Sequence, residues 1–355
     1  MAFSNAAPRA RIARAERLAP PTIAVSIDLD APGKRIGHLE LAWSDDEHAY
    51  GIIPVPVAVI ANGNGPSVLV TAGVHGDEYE GLVIARKLIA EISPEAITGR
   101  IVIMPGVNWP AVRARRRVSP IDRKNMNRAF PGDSTSGPTA MIADFIERCL
   151  LPGMAYAVDL HSGGTQSVYA PCGYVYGTGE RAFRDSKLAA AHAFGAPRTA
   201  VVTTTSSGGS LSAACERHGV VMVSAELGGG AALGHAGIGI GWEGTLNLLR
   251  HAGLLAGAPK PTRTVLLHTA SRASFVMATI DGLFEHSVDV GAAVEAGDLA
   301  GRIWPIDDLA RQCVPLRFAA GGTVLARRTM PMVTRGDYVC HVGTRVSDDE
   351  FQRGI

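Results

Sequence analysis

Ser67 to Gly81, reading SVLVTAGVHGDEYEG, is the stretch that most constrains this chain: an apolar run breaks into His75-Gly76-Asp77-Glu78, and a helical pattern follows at once. Ser67 to Val74 is short, apolar and Val-rich, as a buried strand is, and Gly81 to Ile92 (GLVIARKLIAEI) spaces its apolar residues as a helix does. His75 and Glu78 therefore sit on the turn between strand and helix. An imidazole and a carboxylate three residues apart can face one cavity, and an N/O ligand set with an open position is what catalytic zinc uses. By itself such a pair is more often a turn cap beside a solvated charge.

Ala155 to Leu160 (AYAVDL) is a second apolar run and ends in His161-Ser162-Gly163-Gly164; a third, Val220 to Ala225 (VVMVSA), ends in Glu226-Leu227-Gly228-Gly229-Gly230. In an open α/β sheet, ligands gather in the crevice outside the carboxyl ends of the strands. His75, Glu78 and His161 can therefore converge as a His₂Glu catalytic zinc site despite the long gap between them. A carboxylate at a strand end beside a Gly-rich turn is costly to bury without a partner or a task. Glu226 is thus the candidate general base and acid, against the plainer reading of a surface carboxylate after an edge strand.

A fourth run, Ile101 to Val107 (IVIMPGV), leads into an unusually basic loop: RARRR at Arg113 to Arg117, then SPIDRKNMNRAFPG up to Gly132. The loop reads as solvated charge or as a nucleic-acid patch. Against nucleic acid, 34 Lys and Arg are balanced by 33 Asp and Glu, and no groove-reading motif accompanies the cluster. A guanidinium binds carboxylates in bidentate fashion and, beside a metal, stabilises an oxyanion.

HGDE at 75–78, the segment from Arg117 to Phe130 with its Asn127-Arg128 pair, DLHSGG at 159–164 and AELGGG at 225–230 together resemble the succinylglutamate desuccinylase/aspartoacylase family. These are zinc amidohydrolases on the carboxypeptidase-type α/β fold. The resemblance implies one zinc ion per chain held by His75, Glu78 and His161, with Glu226 as the proton-transferring carboxylate. It also implies that Asn127 and Arg128 hold a substrate carboxylate. Arg117 matches the oxyanion-stabilising arginine, although Arg113, Arg115, Arg116 and Arg123 crowd the same stretch. Asn125-Met126 stands where many relatives have an acidic residue and Leu. The wording GDEYEG, SPID..NMNRAFPG and DLHSGG is most similar to the ectoine-catabolic branch, which deacetylates N2-acetyl-L-2,4-diaminobutanoate. A pocket for that substrate's ammonium calls for a carboxylate or a group of carbonyls, with Asp122 on the basic loop as one candidate.

At 355 residues the length favours two domains, and 46% hydrophobic residues suffice for sizeable cores. Strands alternating with helical patterns, such as Ala140 to Leu151 and Trp242 to His251, predict a mostly parallel, helix-flanked α/β sheet. Beyond the Pro/Gly-rich stretch Ala256 to Pro261, short β-prone runs are broken by Gly-Asp and Gly-Gly turns, which predicts a smaller all-β domain. Its rhythm resembles a lipoyl-type barrel without the cofactor-bearing lysine, so a capping role at the active-site mouth is expected. The expected division is an N-terminal extension 1–20, a zinc hydrolase domain 21–261 and a C-terminal β domain 262–355. The extension is Ala/Arg-rich and acid-poor like a transit peptide, but it is read as a helical or loosely ordered tail. Five cysteines without C-x-x-C spacing, and no apolar run of about 18 residues, predict a reduced cytoplasmic protein without a membrane span. Oligomeric state is left open.

His192, His218, His251 and His268 lie in ordinary helical or strand patterns and read as hydrogen-bonded structural residues. The expected chemistry is metal-assisted hydrolysis of a small N-acyl amino acid, with Glu226 moving the proton. A metallocarboxypeptidase is the nearest competitor and would need an open cleft. A binding module that grips an acidic ligand with the basic loop is the other, and it has no need of three converging ligands.

Overall fold

A computed structural model of the chain describes residues 23–47, 49–203, 208–260, 263–269 and 271–355. The expected N-terminal extension lies outside the described residues. The chain runs β1 (Ile23–Val25), β2 (Gly33–Trp43), β3 (Gly51–Asn62), β4 (Ser67–Ala72), α1 (Glu80–Glu91), β5 (Gly99–Met104), α2 (Trp109–Ala114), α3 (Pro138–Phe145), β6 (Tyr156–His161), β7 (Ser167–Tyr169), β8 (Cys172–Tyr176), α4 (Arg181–Phe194), β9 (Arg198–Val202), α5 (Leu211–Arg217), β10 (Val221–Glu226), α6 (His235–His251) and β11 (Val265–His268). Short strands follow: β12 (Phe275–Met277), β13 (Gly282–His286), β14 (Ala293–Val294), β15 (Leu299–Trp304), β16 (Val314–Arg317), β17 (Gly322–Arg328), β18 (Met332–Val333) and β19 (Tyr338–Arg345), before a last helix α7 (Asp348–Arg353).

The elements follow the sequence pattern. In α1, Ile84, Ala85, Leu88 and Ile89 recur at helical spacing on one buried face, and Glu80 in the first turn complements the helix dipole. β4 is apolar on both sides because both sides are covered: Val68, Val70 and Ala72 face one core, and Leu69 faces the other. The first core lies under α1, α4 and α6; the second is closed by α3, α5 and the strands of the β1–β3 meander.

The sheet runs β1-β2-β3-β5-β4-β6-β10-β8-β9-β11-β19-β17-β14 and is mixed, where a mostly parallel one was expected. Its centre, β5-β4-β6-β10, is one continuously parallel block. On one side β1, β2 and β3 form an antiparallel meander. The link from β2 to β3 is too short for the crossover a parallel pair needs, so those two strands can only be antiparallel. On the other side β8, β9 and β11 run together but against β10.

The C-terminal stretch, expected as an all-β unit, shares the main sheet through β11, β19 and β17, while β16-β15-β13-β18 form a second sheet over its own core. The chain ends in α7, whose Phe351 is buried in the main core. The chain passes from β4 to β5 on one side and then from β5 back across to β6 on the other side of β4. The carboxyl ends of β4 and β6 therefore flank a topological switch point, where α/β sheets place their ligands.

Candidate active site

Strand register assembles the site. Ala72, the last residue of β4, pairs with Leu160, so the Gly73-Val74-His75 exit lies beside His161 at the end of β6. His161 in turn pairs with Glu226, the last residue of β10. Gly76 allows the turn after β4 to close onto α2, since a Cβ there would lie 2.0 Å from the carbonyl carbon of Ala111. Gly229 serves the turn after β10: its φ is +127°, and a Cβ would meet Gly163 N at 2.7 Å.

His75, Glu78 and His161 are buried, and their ligand atoms all lie within 4.8 Å of one another. His75 Nδ1 is 2.7 Å from Glu78 Oε1, and His161 Nδ1 is 2.8 Å from Glu78 Oε2. The outer nitrogens are held elsewhere. His75 Nε2 donates to Asn125 Oδ1 at 3.1 Å, and His161 Nε2 donates to Asp159 Oδ2 at 2.6 Å. Asp159 Oδ1 accepts in turn from Thr71 Oγ1 at 2.8 Å. Outer partners of this kind fix the tautomer and orientation of metal-binding imidazoles. The donor set fits zinc: two Nδ1 atoms and a carboxylate converge while both outer nitrogens are occupied.

The electrostatics agree with that fit. Burial alone would raise the Glu78 carboxyl, but the His75 and His161 imidazoles outweigh it and hold Glu78 well below the usual carboxylate range. Burial would lower His161, yet Asp159 and Glu78 together raise it well above an ordinary imidazole. Its imidazolium charge stands where the charge of a cation would stand.

Glu226 behaves in the opposite way. Burial, and then the charge of Glu78, push its carboxyl up to about 8 against the pull of His161 and Arg117. Its Oε2 is buried and has no hydrogen-bond partner among the described residues. A carboxyl so placed is suited to carrying a proton near neutral pH.

The basic loop contributes unevenly. Arg117 Nη1 lies 3.4 Å from Glu78 Oε1 and 3.3 Å from His75 Nδ1, with the side chain half-exposed. No comparable contact with these residues is made by Arg113, Arg115, Arg116 or Arg123 among the described residues. Asn125 caps the short turn Met126–Arg128 by accepting from Asn127 N at 2.9 Å. Asn127 Oδ1 accepts from Leu211 N at 3.0 Å and so pins that turn to the start of α5. The amide Nδ2 of Asn127 makes no hydrogen bond among the described residues. Arg128 Nη1 donates to Asn127 O at 2.7 Å, and the guanidinium is exposed. Asp122 is occupied: its carboxylate accepts from Thr139 N and Thr139 Oγ1 at 2.8 and 2.9 Å, capping α3.

Sequence reasoning passed over Asp159, Thr71 and Asp77. Asp159 carried a signal, because an acid two residues before His161 on a strand shares its face. Asp77 Oδ2 accepts from Thr165 N and Oγ1 at 2.8 and 2.9 Å, joining the turn after β4 to the loop after β6. That loop is also stitched to the C-terminal strands, for β7 pairs with β17 and Tyr338 Oη is hydrogen-bonded to Ser167 Oγ.

A central parallel sheet with a buried His-Glu-His cluster at its switch point and a half-buried glutamate beside it places the chain among α/β metallohydrolase-like folds. The chain belongs to the succinylglutamate desuccinylase/aspartoacylase family, whose catalytic-domain model matches residues 64–252. It is similar to the N-alpha-acetyl-L-2,4-diaminobutyric acid deacetylase of Halomonas elongata, with 34% identity over 323 residues, 90% of this chain and 94% of that protein. The product-bound structure of the ectoine utilization protein EutE (DoeB) from Ruegeria pomeroyi matches with a TM-score of 0.89 and 40% identity, over 92% of this chain and 100% of that one. A succinylglutamate desuccinylase/aspartoacylase structure from Rhodobacter sphaeroides matches with a TM-score of 0.87 and 34% identity, over 92% and 100% of the two chains.

Proposed function

We propose that this protein is a zinc-dependent amidohydrolase that removes the acetyl group from N2-acetyl-L-2,4-diaminobutanoate. One observation carries the hydrolase reading: Glu226, half-buried with a buried and free Oε2, ends the strand beside the one that ends in His161 of the His75-Glu78-His161 cluster. The similarity to the Halomonas deacetylase carries the choice of substrate.

Zinc held by His75, Glu78 and His161 would supply a Lewis acid for the acyl carbonyl and lower the pKa of a water toward about 7. Glu226 takes a proton from the attacking water and returns it to the leaving amine. Arg117 is placed to hold the oxyanion, and Arg128, with the amide of Asn127, to anchor the α-carboxylate. Asp159 and Asn125 keep the two imidazoles in the tautomer that leaves Nδ1 for the ion.

Acetate release by purified protein tests the reading. N2-acetyl-L-2,4-diaminobutanoate should be turned over at least about tenfold faster, by kcat/KM, than N-acetyl-L-aspartate, a difference of only about 1.4 kcal/mol in transition-state binding. A preference for the dicarboxylate would reject this substrate and favour an aspartoacylase-type or desuccinylase-type activity. Preparations that hydrolyse neither substrate and bind no zinc would reject the hydrolase.

A further inference from the structure

A chain of hydrogen bonds runs from the C-terminal strands to the turn that carries His75 and Glu78. Thr329, the residue after β17, donates its hydroxyl to the carbonyl of Thr165 at 2.5 Å and its N–H to the carbonyl of Gln166 at 3.0 Å. Thr165 donates its own N–H and hydroxyl to Asp77 Oδ2, at 2.8 and 2.9 Å. Asp77 directly precedes Glu78 and lies two residues after His75. Residues 164 and 88 positions apart in the chain are thus joined in one continuous link, Thr329–Thr165–Asp77.

The joints of this link are closely fitted. Asp77 is 2% exposed, and its Oδ1 is buried with no hydrogen-bond partner among the described residues. The two bonds from Thr165 therefore carry what replaces water around that carboxylate. Gly164, at φ +57°, makes room for it, since a Cβ there would lie 2.6 Å from Asp77 Oδ2. The same loop is bound to the segment that follows Glu226: Gly163 N donates to Gly228 O at 3.0 Å, Gly230 N to Ser167 O at 2.9 Å and Ala231 N to Gly164 O at 2.9 Å. Loop 163–167 is thus a hub with three attachments. Asp77 ties it to the turn of His75 and Glu78, the glycine turn ties it to Glu226, and Thr329 ties it to the C-terminal strands. No hydrogen bond joins it to Asn127 or Arg128 among the described residues.

We propose that Thr329, Thr165 and Asp77 form a positioning relay, through which the C-terminal strands hold the turn of His75 and Glu78 in place against the turn after Glu226. The inference rests on the hydrolase reading for the reaction that the relay serves. Thr329 is a positioning residue and acts only through Thr165. A misplacement of about 1 Å that originates far from the chemistry can slow a reaction roughly 100-fold, so a single remote hydroxyl can govern turnover. The relay also gives the C-terminal strands a task besides covering the mouth of the site.

The experiment compares wild type with Thr329→Val, Thr329→Ser, Asp77→Ala and the double variant Thr329→Val/Asp77→Ala. Valine keeps the shape of threonine and its N–H and removes only the hydroxyl; serine restores the hydroxyl. Competition with a chelating dye reads zinc affinity, turnover of N2-acetyl-L-2,4-diaminobutanoate at saturating zinc gives kcat and KM, and melting temperature reports on the fold. Thr329→Val should weaken zinc binding about threefold or more and lower kcat about tenfold, with KM within about twofold of wild type because the turn of Asn127 and Arg128 is not attached to the hub. Thr329→Ser should stay within about twofold of wild type in all three. Asp77→Ala should lose at least as much as Thr329→Val, and the double variant should be no more than about twofold worse than Asp77→Ala, since the link is already cut. Thr165→Val, which removes the hydroxyl bond to Asp77, replaces Asp77→Ala if that variant does not fold. A Thr329→Val protein that loses melting temperature but keeps wild-type zinc affinity and kcat would overturn the relay, as would losses that multiply in the double variant. Wild-type protein that binds zinc but hydrolyses no N-acyl amino acid would remove the hydrolase reading instead, and the zinc measurements would still decide the relay.

Discussion

Asn125 Oδ1 accepts from His75 Nε2 at 3.1 Å and from Asn127 N at 2.9 Å, so one amide oxygen joins an imidazole of the His75-Glu78-His161 cluster to the turn that carries Asn127 and Arg128. An acid would do the same with a full negative charge; the amide does it with a dipole. The His75-Glu78-His161 cluster and the turn of Asn127 and Arg128 therefore share one mechanical support.

Removing that support should be felt at both ends. Asn125→Ala is expected to weaken zinc binding by roughly 10- to 100-fold, the usual effect of losing an outer partner of a metal ligand, and to raise KM as well. Asn125→Asp should restore zinc affinity. Competition with a chelating dye reads the first effect, and unchanged affinity in the alanine variant would rule out a supporting role for Asn125.

Glu226→Gln should separate chemistry from metal binding. The variant keeps the three ligands and is expected to hold zinc at wild-type stoichiometry while kcat falls by roughly 100-fold or more. His75→Ala and His161→Ala should lose metal and activity together. Near-normal kcat in Glu226→Gln would move the base to another residue.

Arg128 is exposed and is held in place by the Asn127 carbonyl. Arg128→Ala should raise KM for an acylated amino acid and have much less effect on the corresponding carboxamide, because a charge-assisted contact cannot be lost where it was never made. Equal losses on acid and amide would assign Arg128 to the fold or the oxyanion.

His341 provides a test of pH dependence away from the metal. It is buried against Phe275, with stacked rings 4.2 Å apart, and burial pushes its imidazole down to about 4 from 6.5. Between those values the unfolded chain binds the extra proton and the folded one does not, so stability falls as pH falls from about 6.5 toward 4. The loss is on the order of 3 kcal/mol. His341→Phe should remove much of this acid sensitivity, and a denaturation series from pH 7 to 4.5 that shows the same slope in both proteins would contradict it.

The central site was legible in the sequence because it is local. A strand ends, a turn begins, and the residue at the junction is placed by the period of the strand and by the glycine that follows it. His75, Glu78, His161 and Glu226 each stand at such a junction, and short-range sterics and burial suffice to set each one. The elements were equally legible: α1 and β6 were predicted within a residue or two at each end.

Only the tertiary structure decided what those junctions face. Asn125 reaches His75 across 50 residues, and Asp77 reaches Thr165 across 88. The mixed direction of the sheet, the pairing of β7 with β17 and the capture of Asp122 by α3 were likewise absent from any local pattern. The physical reason is the same in each case. Local spacing is set by backbone sterics and solvent exposure within a few residues. A partner far along the chain is selected only when packing of the whole core repays the entropy of closing the loop between them.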